Sequence, residues 1–303
     1  LNIFTFNKKN LKKTIDYLNK NDAIGLPTET VYGLGGNAYS KSSIKKIFKL
    51  KKRPKSNPLI IHYYDKTSAS DDIIFNKNFE KLYKNFCPGP ITFILKKKIN
   101  SKINSLACSN LNTVAVRFPK HKIIRSILKK INFPLAMPSA NKSKNVSPVR
   151  ALDVYDEFKK KVRLILDGGK CKIGIESTVI DLTNKPKILR PGIINASSIQ
   201  RIIKKKLIIL NNSKKAKSPG IMKKHYSPGI PVAINQKKHD GRSAFIYLGK
   251  KYITKKNFFS LSNKRNLDEA ASNLYHIFRI IKKRGYKKIQ ICKIPYKGSG
   301  IAI

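Results

Sequence analysis

The sequence has no tryptophan, few acidic residues and only scattered cysteines. Cys87, Cys108, Cys171 and Cys292 form no C-x-x-C pair, and the five histidines form no H-x-x-x-H pattern. These spacings argue against a zinc site and a dense disulfide framework. No apolar run approaches the roughly 20 residues that a membrane helix needs, and the first ten residues do not resemble a signal peptide. We therefore expect reduced thiols, a cytoplasmic location, no membrane association and no metal ligands from the protein.

The common nucleotide and hydrolase motifs are also missing. There is no G-x-x-x-x-G-K-[ST] loop, and the stretch "YGLGG" at residues 32–36 does not match G-x-G-x-x-G. Neither a G-x-S-x-G elbow nor a set of kinase motifs is present. The sequence thus argues against P-loop enzymes, dinucleotide-binding enzymes of the usual kind, serine hydrolases with a nucleophile elbow, and protein kinases.

Negative charge is scarce, and positive charge is abundant. The chain carries 65 Lys and Arg against 16 Asp and Glu, a formal net charge of +49. Such a charge attracts polyanions, RNA above all. However, lysine runs are spread along the whole chain, and a genome rich in A/T codons would produce many of them. The charge therefore predicts nonspecific RNA affinity, and it does not by itself indicate a dedicated RNA-reading site.

Strand-like and helix-like patterns alternate along the first two thirds of the chain. Residues 8–20 have apolar side chains at helical spacing, and the apolar runs "PLIIHYY", "ITFIL" and "TVAVRFP" are typical of strands. Ser147 and Pro148 predict the N-cap and first turn of a helix that runs through Phe158. The pattern predicts an α/β (α+β) fold with a large, twisted mixed sheet and packed helices.

The character of the sequence changes near residue 205. We expect one large domain over residues 1–206, a linker or lid over residues 207–230 rich in Lys, Ser, Pro and Gly, and a small domain over residues 231–303. In the last segment, an amphipathic helix predicted over residues 268–284 lies between two strand-like runs. The sequence therefore predicts a small Rossmann-like βαβ domain at the C-terminal end.

Polar residues beside Gly or Pro follow several predicted strands, where sites in open α/β sheets usually lie. Taken singly, most have a structural explanation: Thr28 and Thr30 are equally suited to capping a helix, and His62 to a core position. Arg117 is harder to explain in this way. It ends a strand on the same face as Thr113, and a buried guanidinium needs a partner such as a carboxylate or phosphate.

In combination, these segments resemble a known family. The order "PTETVYGLG", "KKRPKSNPL", "CPGPIT", "AVRFP", "PSANKS", "ESTVID", "LRPG" and "HYSPG" covers nearly the whole chain and is similar to the longer, two-domain branch of the YrdC-like threonylcarbamoyl-AMP synthases. The resemblance implies that L-threonine, bicarbonate and ATP give L-threonylcarbamoyladenylate and pyrophosphate. A downstream threonylcarbamoyl transferase would use the adenylate to form N6-threonylcarbamoyladenosine at position 37 of tRNAs that read codons beginning with A.

The resemblance also assigns site residues. It implies contacts to L-threonine from Thr30, His62, Arg117, Ser139 and Ser177. It implies contacts to ATP from Arg53, Asn57, Thr113, Asn141, Ser147, Arg190 and the linker residue Tyr226. Lys51 is a further candidate for stabilising phosphate charge beside Arg53. None of these residues is an evident nucleophile, and Mg²⁺ is expected on the triphosphate rather than in a protein cage.

Two other functions are compatible with the same fold. The charge alone favours a noncatalytic protein that binds double-stranded RNA or tRNA, although such a protein need not retain the full set of ligand positions. An enzyme with another carbamoyl donor or acceptor is the second alternative. Because the family normally continues past "GIAI" at residues 300–303, we also expect the small domain to lack its last helix.

Overall fold

The computed structural model describes residues 1–209, 227–252 and 254–303. The strands are β1 (Ile3–Thr5), β2 (Ile24–Leu26), β3 (Gly33–Asn37), β4 (Ile60–His62), β5 (Ile73–Ile74), β6 (Ile91–Lys97), β7 (Thr113–Arg117), β8 (Leu135–Ala136), β9 (Ile165–Asp167), β10 (Thr178–Asp181), β11 (Lys187–Arg190), β12 (Ile208–Ile209), β13 (Val232–Ala233), β14 (Ala244–Tyr247), β15 (Phe258–Ser260) and β16 (Ile289–Ile291). The helices are α1 (Lys8–Asn19), α2 (Lys41–Lys51), α3 (Lys77–Phe86), α4 (Lys122–Leu128), α5 (Ala151–Phe158), α6 (Ala196–Ile203) and α7 (Leu267–Lys283).

The first twelve strands form one large mixed sheet, which confirms the predicted fold class. Its order is β1-β9-β2-β3-β8-β4-β7-β6-β10-β11-β12, with β5 paired to β6. The central strands β6 and β7 are antiparallel, whereas β4 with β7 and β6 with β10 are parallel. Central strands such as β4 and β7 are almost wholly buried, because helices or loops cover both sides of the sheet.

The ends of the helices follow local sequence chemistry. Asn7, Ser40 and Asn76 each accept a backbone N–H of the first turn in α1, α2 and α3. Such side chains satisfy donors that the helix itself leaves unpaired. The predicted helix over residues 8–20 is confirmed as α1, and its buried face carries Leu18.

The predicted start of α5 at Ser147 and Pro148 is wrong. The helix begins at Ala151, after the N-cap Arg150, and the carboxylate of Asp153 accepts the N–H groups of Val149 and Arg150. Ser147 instead donates its hydroxyl to a carboxylate in the interior. A tertiary partner therefore outcompetes the local capping role of this serine.

The strands after the linker form a second, fully parallel sheet. Its order is β13-β16-β14-β15, and α7 connects β15 to β16. Ala244 and Ile246 on β14 join the same hydrophobic cluster as Leu274 and Ile281 of α7. The predicted helix over residues 268–284 is thus confirmed to within a residue, and its apolar stripe packs on one face of the sheet.

The helix α7 also packs directly against the part of the chain that carries the large sheet. Gly174 has a positive φ of 76°, and a Cβ atom there would lie 2.5 Å from the Cα of Ser272. Arg279 of α7 donates to the carbonyl of Val146 and to the carboxylate of Glu157. These contacts hold the second sheet against the first through a close backbone approach that requires glycine.

No helix within the described residues is long and apolar enough to cross a membrane.

Candidate functional site

The turn between β2 and β3 is held rigid by two threonine hydroxyls. The Oγ1 atom of Thr28 accepts the N–H of Thr30 at 3.1 Å, donates to the carbonyl of Val31 at 2.7 Å, and lies 2.9 Å from the Oγ1 of Thr30. Both threonines are fully buried. This turn does not cap a helix, so the suggested helix-capping role of Thr28 and Thr30 is wrong. Its hydrogen bonds fix the backbone around Glu29.

Glu29 forms a buried ion pair with Arg117 at the end of β7. The Nη2 atom of Arg117 donates to Oε1 of Glu29 at 2.6 Å, and both side chains are less than a tenth exposed. The N–H of Lys120 donates to the other carboxylate oxygen at 3.1 Å. A buried guanidinium was expected to need a partner, and in this structure the partner is the carboxylate of Glu29.

The ion pair keeps Glu29 ionised. Burial raises the pKa of the Glu29 carboxyl, but Arg117 and the backbone N–H groups outweigh it, so that the pKa is lowered from its usual value. The stabilisation from this pair is therefore present above the ordinary carboxyl pKa and is lost as the pH falls through the lowered pKa of the folded protein.

Arg117 retains hydrogen-bonding capacity beyond Glu29. Its Nε atom is buried and has no hydrogen-bond partner among the residues that the structure describes. An unpaired, buried, charged donor costs free energy unless a ligand accepts from it. Arg117 also lines a cleft, so a ligand that accepts hydrogen bonds, such as a carboxylate, would complement this side chain.

The cleft brings together about half of the predicted site residues. The predicted members that line it are Arg53, His62, Arg117, Ser139, Ser177 and Arg190. Thr28, Gly33 and Glu176 line it as well. The cavity volume of this cleft is about 30 Å³, and the cleft is partly open to solvent.

His62 lies beside Arg117 in the paired strands β4 and β7. Its Nδ1 atom is 3.2 Å from the carbonyl of Ile60, which accepts a hydrogen bond when Nδ1 carries the proton. Burial, together with the positive charge of Arg117, lowers the pKa of His62 to about 3. His62 is therefore a neutral polar wall of the cleft across the physiological pH range.

Ser177 and Arg190 line another part of the cleft. The Nε and Nη2 atoms of Arg190 donate to the carbonyl of Ser177 at 3.0 and 2.9 Å, and Nη2 also donates to its hydroxyl at 3.0 Å. The hydroxyl of Thr92 on β6 lies 2.7 Å from that of Ser177. These contacts fix the orientation of the Ser177 hydroxyl at the start of β10.

Lys51 and Arg53 have different surroundings at the end of α2. Lys51 is 1% exposed, and its ammonium group donates to the carbonyls of Ser139 and Asn141. Burial, followed by repulsion from Arg53, holds the pKa of Lys51 well below its usual value. Lys51 therefore fixes the loop that carries Ser139 and Asn141, and the expectation that it contacts phosphate directly does not fit this position.

Arg53 is held by the segment that follows it. Its Nε donates to the carbonyl of Asn57 at 2.9 Å, and its Nη2 donates to the Asn57 side chain and to the carbonyl of Pro58. Arg53 lines the cleft, while Asn57 supports it from behind. The side chain of Asn141 likewise bonds backbone carbonyls of its own loop. The hydrogen bonds to Asn57 and Pro58 therefore hold Arg53 at the cleft in a fixed orientation.

The other predicted residues that the structure describes lie outside the cleft lining. Thr30 supports the turn, and Ser147 donates to Glu176, which does line the cleft. Thr113 begins β7 opposite Lys96, so it stands four residues, roughly 13 Å, from Arg117 along the strand. Tyr226 lies outside the described residues.

Glu176 connects the cleft to α7. Its Oε1 atom accepts from Ser147, and its Oε2 atom accepts the hydroxyl of Tyr275 at 2.7 Å. A neighbouring cleft of about 190 Å³ lies between α7 and the large sheet and shares Glu176 and Arg190 with the first. The two clefts together offer adjoining space for a ligand larger than an amino acid.

Metal ligands are not gathered in this region. Within residues 1–209, 227–252 and 254–303, no group of three or more His, Cys, Asp or Glu side chains is placed to hold a metal ion. The carboxylates of Glu29 and Glu176 are instead engaged by Arg117, Ser147 and Tyr275.

Both parts of the chain match known families. Residues 16–192 match the Sua5_yciO_yrdC family, described as telomere recombination, and residues 194–303 match the C-terminal domain of threonylcarbamoyl-AMP synthase. The chain belongs to the Sua5/YrdC family. The threonylcarbamoyl-AMP synthase of Pyrococcus abyssi is 32% identical over 312 residues, with 95% of this chain and 89% of the relative covered. The Bacillus subtilis synthase is 37% identical over 72% of this chain and 64% of its own length.

One solved structure is similar to this protein over nearly its whole length. The crystal structure of P. abyssi Sua5 complexed with L-threonine has a TM-score of 0.91 and 31% identity, and the match covers 99% of this chain and 94% of that one. Escherichia coli YciO has a TM-score of 0.59 at 22% identity, covering 65% of this chain and 98% of its own, and shows the fold alone. The likeness to Sua5 includes both sheets and the helix between them.

Sequence reasoning missed three residues of this Sua5/YrdC site. Glu29 and Glu176 lie within the motifs "PTETVYG" and "ESTVID", and the two carboxylates in a basic chain were the available signal. Tyr275 gave no signal, because nothing in the amphipathic pattern of α7 distinguishes it from a core aromatic. Only the packing of α7 on the large sheet brings its hydroxyl to Glu176.

Proposed function

We propose that this protein is an L-threonylcarbamoyladenylate synthase. The relatives that it resembles along most of their length carry that name, and the structure with the highest TM-score given above is described as a complex with L-threonine. The single observation that carries the proposal is the buried, unsatisfied Nε of Arg117 in a cleft lined by small hydroxyl residues. The Arg117 guanidinium already binds the carboxylate of Glu29, and its Nε has no acceptor among the described residues. It is therefore suited to bind a second carboxylate, such as that of an amino acid.

In this proposal, threonine occupies the cleft between β4, β7 and β10. Arg117 binds the α-carboxylate, His62 and Ser177 flank it, and Ser139 and Thr30 complete the threonine side. The resemblance assigns the ATP contacts to Arg53, Asn57, Thr113, Asn141, Ser147, Arg190 and Tyr226. Among the described residues, Arg53 and Arg190 line the cleft, and the side chains of Asn57, Asn141 and Ser147 would have to exchange their present hydrogen bonds for the ligand. Mg²⁺ accompanies the triphosphate as part of the substrate. Lys51 acts indirectly, by fixing the loop of Ser139 and Asn141.

The chemistry then needs no protein nucleophile. The amine of threonine combines with bicarbonate to form a carbamate, with loss of water. A carbamate oxygen attacks the α-phosphorus of ATP, the bond from that phosphorus to the bridging oxygen breaks, and pyrophosphate leaves. Arg53 and Arg190 provide positive charge near the transferred group, and the rigid walls of the cleft hold the reactants in line.

Each part of the chain has its own role in this proposal. We infer a synthase domain that extends a few residues beyond 206, because β12 pairs with β11 of the large sheet. The linker that follows β12, up to residue 230, would then close over the nucleotide through Tyr226, and residues 231–303 would anchor it. A labile adenylate favours such a lid, since it excludes water. The product would pass to a threonylcarbamoyl transferase for position 37 of tRNA, in the cytoplasm.

ATP–pyrophosphate exchange tests the proposed function. With L-threonine and bicarbonate both present, labelled pyrophosphate should enter ATP, and omission of either should abolish the exchange. Equal exchange with L-serine would contradict the choice of amino acid, and exchange without bicarbonate would contradict the carbamate step.

The contact between α7 and Glu176 gives a second expected result. Tyr275→Phe removes the hydroxyl that donates to Glu176, and a hydrogen bond to a charged group contributes roughly 1.5–3 kcal/mol. We expect weaker ATP binding, because Glu176 also orders Ser147, with threonine binding little changed. Calorimetry on Tyr275→Phe and on the matched control Tyr286→Phe, which loses a hydrogen bond to Asn257 instead, measures this. Equal ATP affinities in the two variants would contradict it.

The charge favours one alternative, a noncatalytic protein that binds duplex RNA or tRNA. If RNA affinity comes from the +49 charge alone, it should fall steeply with added salt and should not depend on the anticodon. Filter binding of tRNA over a salt series measures the slope. Tight binding that survives high salt, combined with no pyrophosphate exchange, would favour the RNA-binding function instead.

A further inference from the structure

The second sheet has a cleft at the carboxyl ends of its parallel strands. Leu248 follows β14, Cys292 follows β16, and Gln236 follows β13, and all three line the same space of about 520 Å³. Crevices at this edge of parallel sheets are the usual ligand sites of open α/β folds. The volume lies within the range of small-molecule sites, and no lining residue is shared with the cleft around Arg117.

The inner wall of this cleft is aromatic. Phe245 and Tyr247 project from the face of β14 opposite Ala244 and Ile246, which pack with α7, and both line the cleft. The ring centroids of Phe245 and Phe258 are 5.3 Å apart, and those of Tyr252 and Phe258 are 4.6 Å apart. The wall thus presents ring faces and edges to the cleft.

The hydroxyl of Tyr247 is a buried polar group in that wall. Tyr247 is 3% exposed, and its hydroxyl has no hydrogen-bond partner among the described residues. Burial raises the pKa of this hydroxyl, and the backbone N–H of Tyr252 partly offsets that rise. An unsatisfied hydroxyl in a cleft lining is an independent indication of a ligand, because leaving it unpaired costs free energy.

The rim of the cleft is positively charged. Five cations line it and no carboxylate does so among the described residues: Lys237, Lys238, Lys251, Lys255 and Arg265. The ammonium groups of Lys251 and Lys255 lie 5.2 and 5.5 Å from the centre of the Tyr252 ring. The cations therefore stand directly beside the aromatic wall, and a ligand in the cleft would meet both.

We propose that this aromatic–basic cleft is a second ligand site, which binds a nucleoside monophosphate. A base contacts the rings of Tyr252 and Phe258, the Tyr247 hydroxyl bonds the base or ribose, and the phosphate meets the lysines and Arg265. A simple anion would leave the aromatic wall and the hydroxyl unused, while an uncharged apolar compound would leave the cations unused. The site is formed by the second sheet alone, and it stands whether or not the synthase function holds.

A single engineered tryptophan tests the site, because the chain contains none. Tyr252→Trp places the reporter in the wall, and titration with 5′-AMP and with 5′-UMP should give saturable changes in its fluorescence. Adenosine and pyrophosphate should each bind at least tenfold more weakly, a difference of about 1.4 kcal/mol. The double change Lys255→Glu and Arg265→Glu in the same background should weaken AMP binding by a similar factor.

Two controls make the result decisive. Tyr296→Trp carries its reporter at a site that is 78% exposed and does not line the cleft, and it should not respond. In the unmodified protein, equilibrium dialysis with labelled UMP should find one site, which the double charge reversal removes. The proposal is overturned by an equal response in both reporters, by pyrophosphate binding as tightly as AMP, or by a response to single-stranded RNA without one to AMP.

Discussion

Arg117→Ala should abolish threonine binding while leaving ATP binding almost intact. The change removes the guanidinium that we place on the α-carboxylate, and a truncated partner in a buried, charged pair costs on the order of 2–5 kcal/mol, or at least thirtyfold in affinity. Calorimetric titration of threonine and of ATP into the variant measures both affinities. Unchanged threonine affinity in a folded Arg117→Ala protein would contradict the assignment of the cleft.

The same change also leaves Glu29 buried without its cation, which costs stability in its own right. Two further variants separate binding from folding. Glu29→Gln with Arg117→Gln keeps an uncharged hydrogen-bonding pair, and should fold yet fail to bind threonine. Arg117→Lys keeps the charge but loses the fork geometry, and should bind threonine weakly. If the double glutamine variant bound threonine like the original protein, Arg117 would have only a structural role.

Gly174→Ala should loosen the contact between α7 and the large sheet. The added Cβ would lie 2.5 Å from the Cα of Ser272, and the positive φ costs a further 1–2 kcal/mol, roughly, for an alanine. Gly285→Ala is the matched control, since its φ is also positive, at 79°, but nothing lies within 4 Å of its added Cβ. Thermal unfolding should therefore show a larger loss of stability in Gly174→Ala than in Gly285→Ala.

Loss of the α7 contact should also affect the nucleotide side of the cleft. Tyr275 reaches Glu176 only while α7 is docked, so Gly174→Ala should weaken ATP binding and Gly285→Ala should not. Limited proteolysis within α7 should be faster in Gly174→Ala for the same reason. Equal stability and equal ATP affinity in the two variants would show that the close approach at Gly174 is not what positions α7.

The periodic elements of the fold could be predicted from sequence because each follows one local rule. The helix α1 and the helix α7 have long amphipathic stripes, and β7 alternates cleanly. The strand β3 was not predicted, because Gly33–Asn37 contains three glycines and no β-branched residue. Its glycines are required by packing: a Cβ at Gly33 would lie 2.3 Å from the side chain of Met137, a neighbour that only the folded sheet supplies.

In the candidate site as well, some features could be predicted from the sequence and others depend on the fold. Motif order located Arg53, His62, Arg117, Ser139, Ser177 and Arg190, and the structure brings these six into one cleft. The roles of residues whose partners are distant in the sequence could not be predicted. The ion pair of Arg117 with Glu29 spans 88 positions, and the bond from Tyr275 to Glu176 spans 99. Long-range pairs of this kind are set by topology rather than by local pattern.

The most direct test of the proposed activity is the fate of labelled bicarbonate. In a single turnover with ATP, L-threonine and bicarbonate carrying labelled carbon, the label should appear in an AMP-linked product, in an amount equal to the pyrophosphate released. Release of AMP and pyrophosphate without labelled product, or labelled product in the absence of threonine, would contradict the account.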